Sequence, residues 1–185
     1  MLEWFRDNYG SEEKLLQQHT GQSEWTALME KAEKVPCGSL GAVFLPHFAG
    51  AGAPFNDNRT LGAFVGLSMA TDKSCMIRAM IEGLDYQFRG IVEAMEIALQ
   101  ARTHKIIAVG GASRNSFWMQ NKADVTGKLI ETPDLEEATT LGAALLAGIG
   151  VGIYQNEQEA YRRTFKPGKT YQPDLALKTN YDKYF

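Results

Sequence analysis

The sequence has little of what several classes of protein depend on. Its only cysteines, Cys37 and Cys75, form no CxxC pair and have no histidines clustered around them, which argues against a disulfide scaffold or a cysteine-based metal site. The formal net charge is -3 and no basic stripe is present, so nucleic-acid binding is not indicated. We expect both thiols to be small core side chains of a reduced, cytoplasmic protein.

Membrane and secretory segments are also absent from the pattern. The apolar runs are all shorter than the roughly 20 residues that cross a bilayer. The first residues, from Met1 to Arg6, are amphipathic and charged and lack the apolar centre of a signal peptide. With 44% hydrophobic residues in a chain of 185, the composition predicts one domain with its own core.

The patterns that are present divide this domain into four parts. They are a helical lead-in, a strand-loop-strand unit, a long helix followed by a βαβα core, and a C-terminal helix with an aromatic tail, over residues 1–35, 36–70, 71–150 and 151–185. The lead-in predicts a helix over 2–16 and another over 24–34 that Ser23 caps. The apolar residues expected to face the core are Trp4, Phe5, Leu15, Leu16, Trp25, Leu28 and Met29. Short strands over 42–45 and 62–67 flank a loop over 48–59.

A long helix over about 72–100 is the clearest element. Its apolar residues alternate four and three apart and form one stripe, made of Ile77, Ile81, Leu84, Phe88, Ile91, Met95 and Ala98. Gly83 and Gly90 lie seven residues apart on nearly the same face. Each glycine costs about 1 kcal/mol of helix propensity relative to alanine, so we expect another part of the chain to approach closely at both.

A βαβα unit follows the long helix. The pattern predicts strands over 105–109 and 129–132, a helix after the first strand that ends at Gly127, and a second helix over about 136–148. This order implies a parallel pair of strands. Asn156 and Glu159 form a capping-box-like start for a last helix, a turn lies at 167–168, and residues 171–185 are interpreted as a tail.

The turn that begins with Gly110 and Gly111 is the candidate ligand site. A strand that ends in two glycines and opens a helix lets a ligand reach the backbone. Many such turns carry glycine only for geometry, so the turn alone does not establish a site. A P-loop is excluded because no Gly-Lys-Ser/Thr occurs here. A dinucleotide site remains an alternative, since Glu131 ends the next strand about 20 residues on, although GxGxxG is not satisfied.

Several segments together resemble the FGGY family of carbohydrate kinases, which includes glycerol kinase and xylulokinase. The segments occur in the family's order and cover nearly the whole chain: residues 4–7, 52–57, 62–67, 110–120, 123–127 and 137–147. The resemblance implies the C-terminal half of such a kinase. The implied fold is α/β, an actin-like (ribonuclease H-like) nucleotide-binding lobe, here without its first antiparallel strands.

The resemblance also implies a set of nucleotide-binding residues. Gly110 and Gly111 match the glycines that the ribose and phosphates approach, Ala112 matches a backbone contact, and Asn115 matches a side chain that meets the adenine. From the sequence alone, Asn115 is equally well interpreted as a helix N-cap. Glu3 stands where relatives often have a nucleotide-contacting glutamine and is a further candidate. We expect Arg114 and Lys122 to lie on a solvated helix face.

No catalytic or metal-binding residue is expected in this chain. The family's catalytic aspartate, its phosphate loop and most acceptor contacts lie upstream of the residues matched here, and Asn56 stands where relatives usually have an aromatic residue, which leaves the acceptor sugar open. His47 and Asp57 match no catalytic position and are interpreted as loop-stabilising. The implied cofactors are ATP and, in the intact enzyme, Mg²⁺.

The expected function is therefore that of an ATP-binding lobe, inactive by itself, of a kinase acting on a ketopentose, a ketohexose or a glycerol-like polyol. Its partners would be ATP or ADP and, through the N-terminal half, the sugar, with no nucleic acid or membrane. An open sheet edge would favour a homo-oligomer. The alternatives are a non-catalytic nucleotide-binding or regulatory module that pairs with a separate N-terminal subunit, and a structural remnant with no ligand.

Overall fold

Helices and one small hairpin make up the first part of the chain in the computed structural model, which describes residues 1–135 and 137–185. The elements in chain order are α1 (Leu2–Tyr9), α2 (Ser11–Thr20), α3 (Glu24–Glu33), β1 (Val43–Leu45), β2 (Ala63–Val65) and α4 (Lys73–Leu99). β1 and β2 pair antiparallel, with Phe44 opposite Phe64. The predicted strand-loop-strand unit is thus confirmed as a hairpin, and β1 packs against α4.

The single helix predicted over 2–16 is two helices, because the chain bends at Gly10. A Cβ at this position would lie 2.4 Å from the carbonyl oxygen of Arg6, so only glycine accepts this junction. Phe5 is fully buried, as predicted, but Trp4, Leu15 and Leu16 are exposed and were wrongly assigned to the core. On α2 the buried side chain is that of Glu13, so Leu15 and Leu16 face solvent.

A buried carboxylate fixes α2 against its neighbours. The side chain of Glu13 is 1% exposed and pairs with Lys31 of α3 and with Lys73 at the start of α4. Burial opposes its ionisation, but the hydrogen bonds from the two lysines prevail and lower the pKa of Glu13 below its ordinary value. Three helices are therefore joined through one ionised side chain.

We expect Glu13→Gln to lower the free energy of unfolding at pH 7 by about 2 kcal/mol, the usual range for hydrogen bonds to a charged group. Because the folded-state pKa of Glu13 is lowered, its contribution is present above the unfolded pKa of about 4.3 and is lost as the pH falls through the folded value. Urea unfolding should thus show a difference in the free energy of unfolding between the wild type and Glu13→Gln that is smaller at pH 3 than at pH 7. Glu12→Gln is the control, since Glu12 contacts the same lysines from an exposed position. Equal losses in both variants would contradict the role of burial.

The long helix is confirmed as α4 and has the expected boundaries. Asp72 caps it by accepting a hydrogen bond from the backbone N–H of Cys75 at 2.8 Å, and Gln100 ends it in the left-handed conformation at φ 51°. The predicted apolar stripe is buried only in the first half of the helix, at Ile77 and Ile81, whereas Met95 is 55% exposed. The second half of α4 therefore extends beyond the core that the described residues form.

The two helical glycines differ from each other. At Gly83, an added Cβ would lie 2.2 Å from the carbonyl oxygen of Phe44, which confirms the expected close approach and identifies β1 as the neighbour. At Gly90, none of the described atoms lies within 4 Å of an added Cβ, so the same expectation was wrong there. Helical spacing alone does not show how far a neighbouring strand extends.

The second part of the chain builds a three-stranded sheet. Its elements are β3 (Lys105–Ile107), α5 (Ser116–Thr126), β4 (Leu129–Thr132), α6 (Ala138–Gly150), α7 (Glu157–Thr164), β5 (Lys169–Tyr171) and α8 (Leu175–Tyr181). β3 and β4 pair in parallel with Ile106 opposite Ile130, which confirms the predicted unit. Gly127 ends α5 at φ 66°, also as predicted. The expected first residue of the helix α6, Glu136, lies outside the described residues.

The segment interpreted as a tail is instead structured. β5 adds to the sheet antiparallel to β4, and Asp174 caps α8 by accepting backbone hydrogen bonds from Ala176 and Leu177. Tyr181 is 1% exposed. The aromatic ring of Phe185 lies 4.1 Å from the guanidinium carbon of Arg89 on α4. Long-range pairing with β4 and α4 orders these residues, and the local sequence carries no signal for it.

The predicted cap of α7 is confirmed, and of the two cysteines predicted in the core, Cys75 is buried whereas Cys37 is only half-buried. Asn156 accepts a hydrogen bond from the backbone N–H of Glu159 at 2.9 Å, and the Glu159 carboxylate accepts one from the N–H of Gln155. Cys37 and Cys75 are free, and Cys75 is buried. Within residues 1–135 and 137–185, every helix is too short or too polar to cross a membrane.

Candidate functional site

The paired glycines form an open turn between β3 and α5. Gly110 has φ +96°, a backbone conformation that favours glycine, and residues Gly111–Arg114 then make one turn of 3₁₀ helix before α5 begins. A Cβ added at Gly110 or Gly111 would meet no described atom within 4 Å. The backbone at this turn is therefore open to a ligand.

A groove of about 910 Å³ lies between this turn and the helices α1 and α3. Three of the four predicted nucleotide-binding residues line it together: Gly111, Ala112 and Asn115. Gly110 lies directly before them in the chain. Glu3, the further candidate from the start of the chain, lines the same groove from α1. The tertiary structure thus brings Glu3 and the glycine turn together across more than 100 residues of sequence.

Asn115 is the N-cap of α5. Its side-chain oxygen accepts a hydrogen bond from the backbone N–H of Trp118 at 2.8 Å, so the alternative role considered from the sequence is present. Capping uses only the oxygen of the amide, and the NH₂ group has two further donors. The cap and a contact with a ligand in the groove are therefore compatible.

Aromatic side chains make up much of the groove wall, and sequence reasoning did not assign them to it. Trp25 of α3 lines one side, and Phe117 and Trp118 of α5 line the other. Trp25 was expected in the core; it is half-buried, with the guanidinium carbon of Arg6 at 5.0 Å from its ring. Flat apolar walls suit a planar ring system such as a nucleobase. No local signal could place Trp25 here, because α3 and α5 are far apart in sequence.

The charge of the groove is acidic. Three glutamates, Glu3, Glu30 and Glu33, are among the residues that line it, and Arg114 supplies the positive charge. Arg114 is exposed, as predicted. Negative walls disfavour a polyphosphate and leave an uncharged nucleoside as the better fit, since like charges at close range repel.

Lys122 is not on a solvated face, contrary to expectation. Its Nζ lies 2.5 Å from Oδ1 of Asp85, which is fully buried on α4, and its side chain is only 14% exposed. The Lys122 ammonium also lies 4.3 Å from the ring centroid of Phe88. The prediction failed because α5 packs along α4 and turns this face of the helix inward.

Asp57 and His47 belong to the loop between β1 and β2. The Asp57 carboxylate accepts hydrogen bonds from the backbone N–H and the side chain of Arg59, and these bonds lower the pKa of Asp57. Its loop-stabilising role is confirmed. His47 takes part through its backbone, which bonds to Leu45 and Gly50. Glu131, the acid of the dinucleotide alternative, pairs with Lys105 on the neighbouring strand at 2.9 Å.

Metal-ligating side chains are dispersed. Among the described residues, no three histidine, cysteine, aspartate or glutamate side chains come together in a group that could hold a metal ion. The chemistry available in the groove is therefore binding and orientation, by backbone groups, aromatic rings and the Asn115 amide.

Comparisons with known proteins identify one family for most of the chain. Residues 1–151 match the model of the FGGY family of carbohydrate kinases, C-terminal domain. Glycerol kinases of Klebsiella pneumoniae (strain 342) and Enterobacter sp. (strain 638) are each 40% identical to the chain over 133 residues. The match covers 69% of the chain and 26% of each relative, so the chain spans only a part of the length of these enzymes.

Solved structures show the same fold. The ligand-bound xylulose kinase of Lactobacillus acidophilus is 26% identical and superposes with a TM-score of 0.80 over 98% of this chain and 34% of that protein. The glycerol kinase of Plasmodium falciparum, solved with ADP, is 23% identical and has a TM-score of 0.78 over 99% of this chain and 35% of its own. The mixed α/β structure is thus that of a C-terminal kinase lobe of the actin-like ATPase fold.

Proposed function

The chain belongs to the FGGY family of carbohydrate kinases, and we propose that it forms the ATP-binding lobe of an enzyme that transfers the γ-phosphate of ATP to a hydroxyl of a sugar or polyol. The acceptor would be a ketopentose, a ketohexose or a glycerol-like polyol. One observation carries this proposal: a roomy groove with aromatic walls opens directly beside the bare backbone of Gly111 and beside Asn115. The family favours a kinase over a dinucleotide-binding domain.

In this proposal the adenosine part of the nucleotide lies in the groove. The adenine would lie between the aromatic walls with its edge toward the Asn115 amide, and the ribose would pass over Gly110, Gly111 and Ala112, where no side chain intervenes. A family member of the same fold has been solved with ADP, which supports a nucleotide as the ligand.

The phosphates, Mg²⁺ and the acceptor are proposed to be held outside this groove. Its acidic wall disfavours a polyphosphate, and Mg²⁺, if it bridges the phosphates in the intact enzyme, needs ligands from elsewhere. We propose that these ligands and the catalytic carboxylate belong to the part of the kinase that this chain does not span. The role of this chain is then to bind and orient the nucleotide while closure of the two lobes excludes water.

Calorimetric titration with ADP and ATP tests the proposed nucleotide site. We expect wild-type binding and, for Asn115→Ser, an affinity about 2- to 10-fold lower, the range of one hydrogen bond of about 0.5–1.5 kcal/mol. Serine retains an N-cap oxygen, so this variant separates loss of the adenine contact from loss of the helix cap. Asn115→Ala removes both and should also lower the melting temperature. A wild-type chain that binds neither nucleotide would reject the proposal.

Turnover is expected to be absent from this chain alone. A coupled assay with ATP, Mg²⁺ and a panel of ketopentoses, ketohexoses and glycerol should give a rate equal to the blank, because the described residues offer positioning groups but no residue that matches the family's catalytic aspartate. Phosphorylation of any acceptor by the purified chain would show that it carries its own catalytic base.

We also propose that this chain self-associates through apolar surface on and after α6. Leu146 is 66% exposed, Val151 75% and Ile153 62%, and large exposed apolar side chains promote association. The β3 edge of the sheet is also unpaired within the described part of the chain. Size-exclusion chromatography with light scattering should show dimers or larger species that Leu146→Lys reduces. A monomer at high concentration in the wild type would contradict this proposal.

A further inference from the structure

A continuous chain of buried polar groups runs from α8 through α4 and α5. Nη2 of Arg78 donates to the phenolic oxygen of Tyr181 at 2.6 Å, and that hydroxyl donates to Oδ1 of Asn121 at 2.7 Å. The Nδ2 of Asn121 then donates to Oδ2 of Asp85 at 2.7 Å. Tyr181, Asn121 and Asp85 are 1%, 2% and 0% exposed, so water does not replace these bonds.

The donor-to-acceptor direction of these hydrogen bonds is fixed by the groups at the two ends of the series. Arg78 has only donors, and its Nε is held by Glu82 at 2.7 Å. Burial raises the pKa of the Tyr181 phenol, which keeps its proton, so it accepts from Arg78 and passes a donor on to Asn121. Burial raises the pKa of Asp85, and the Lys122 ammonium and the donors of Asn121 and Trp118 favour its carboxylate form, which has only acceptors and suits the last donor. Each buried group is therefore satisfied in one orientation.

The same carboxylate also holds a wall of the groove. Oδ1 of Asp85 accepts a hydrogen bond from the indole Nε1 of Trp118 at 3.0 Å and pairs with Lys122 at 2.5 Å. Trp118 lines the groove, and its backbone N–H is bound by the candidate adenine contact Asn115. The Trp118 ring is thus held by its indole nitrogen from α4 and by its backbone from the N-cap.

Arg78, at the other end of this series of hydrogen bonds, lies under the second aromatic side chain of α5 in the groove wall. The guanidinium carbon of Arg78 lies 4.8 Å from the ring centroid of Phe117, the neighbour of Trp118 in the groove. Both aromatic side chains that α5 presents to the groove are therefore in contact with charged residues of α4. Their orientation depends on buried electrostatics as well as on apolar packing.

We propose that Asp85 is a positioning residue for nucleotide binding, which fixes the indole of Trp118 as a preorganised wall of the groove. This inference rests on the proposed function of the groove. Asp85 does not line the groove itself and acts through Trp118. A fixed ring loses little freedom when a base packs on it, whereas a ring released from Asp85 must be ordered by the ligand, which weakens binding.

Asp85→Asn tests this role. An asparagine must turn its NH₂ group toward either the indole N–H of Trp118 or the amide of Asn121. In the first orientation the indole loses its hydrogen bond, and in the second it keeps a bond that no longer has a charged acceptor and is weaker. We expect the affinity for ADP to fall at least fivefold by calorimetry and the Trp118 indole resonance in the ¹H–¹⁵N spectrum to move and broaden. The double variant Asp85→Asn with Lys122→Met also removes the unpaired ammonium and is the fallback if the single variant does not fold.

Val125→Ala is the matched control. Val125 is fully buried on α5, the helix that carries Trp118, but does not line the groove. Its truncation therefore lowers stability without releasing Trp118. We expect an unchanged affinity for ADP and an unchanged indole resonance in this variant. Wild-type affinity in Asp85→Asn, or an equal loss in Val125→Ala, would overturn the positioning role while leaving the proposed function intact. Absence of ADP binding by the wild-type chain would reject the proposed function and this inference with it.

Discussion

Gly111→Leu is expected to abolish nucleotide binding while leaving the fold unchanged. A Cβ at Gly111 points into space that holds no described atom within 4 Å, so the protein itself has room for the larger side chain. Gly111 lines the groove, so the leucine would occupy the path proposed for the ribose. Exposed substitutions of this kind usually change stability by no more than about 0.5 kcal/mol. The loss of affinity should exceed tenfold, or about 1.4 kcal/mol.

The measurement is a pair of titrations with ADP, combined with thermal unfolding of each variant. Gly142→Leu is the control, because Gly142 on α6 has equally open space around an added Cβ but lies outside the groove. It should bind ADP as the wild type does. If Gly111→Leu also binds with wild-type affinity, the nucleotide does not lie across this turn, and the assignment of Gly110, Gly111 and Ala112 is wrong.

Gly83→Ala is expected to cause the largest loss of stability. The new Cβ would lie 2.2 Å from the carbonyl oxygen of Phe44, and a backbone atom in the centre of β1 cannot rotate away. α4 and β1 must therefore separate, which disturbs the core around Phe44 and Ile81, both 1% exposed or less. Overpacking of this kind costs about 1–3 kcal/mol and occasionally more. Each kcal/mol lowers the melting temperature of a domain of this size by about 2–4 °C.

Gly90→Ala provides the contrast within the same helix. No described atom lies within 4 Å of the added Cβ, and alanine is favoured over glycine in a helix by up to about 1 kcal/mol. We therefore expect a small rise in melting temperature at position 90 and a large fall at position 83. Losses of similar size at both positions would show that a neighbour also covers Gly90 in solution, and that the two sites do not differ in packing.

Two of the local predictions succeeded because the determining contacts are close in sequence, whereas the side chain of Ser23, predicted to cap α3, stands at the N-cap but makes no capping hydrogen bond. The cap of α7 by Asn156 and the left-handed end of α5 at Gly127 both formed as expected. Each depends on hydrogen bonds that span no more than four residues, so the local sequence contains the whole signal. The predictions that failed, such as core positions for Leu15 and Leu16, depended on which face of α2 packs against the neighbouring helices.

The candidate site was only partly accessible to sequence reasoning. The glycine turn and Asn115 form one continuous segment, and a motif can identify such a segment. Trp25 and the role of Asp85 could not be found in this way, because each reaches the site across a packing interface between distant helices. Lys122 shows the same limit. Its charge predicted a solvent-exposed position, but its ion pair with Asp85 on α4 lies in the interface between α4 and α5.

By itself, the sequence determined the membership of a kinase family, the positions of the main helices and strands, and a glycine turn whose backbone a ligand can reach. These features arise from residue spacing and from conformations that only particular residues accept. Only the tertiary structure decided that α1, α3 and α5 enclose one groove, that its wall is acidic and aromatic, and that Asp85 holds part of it from behind. The reason is that burial and pairing depend on which surfaces meet in space. The spacing of residues along the sequence does not show which distant segments pack together.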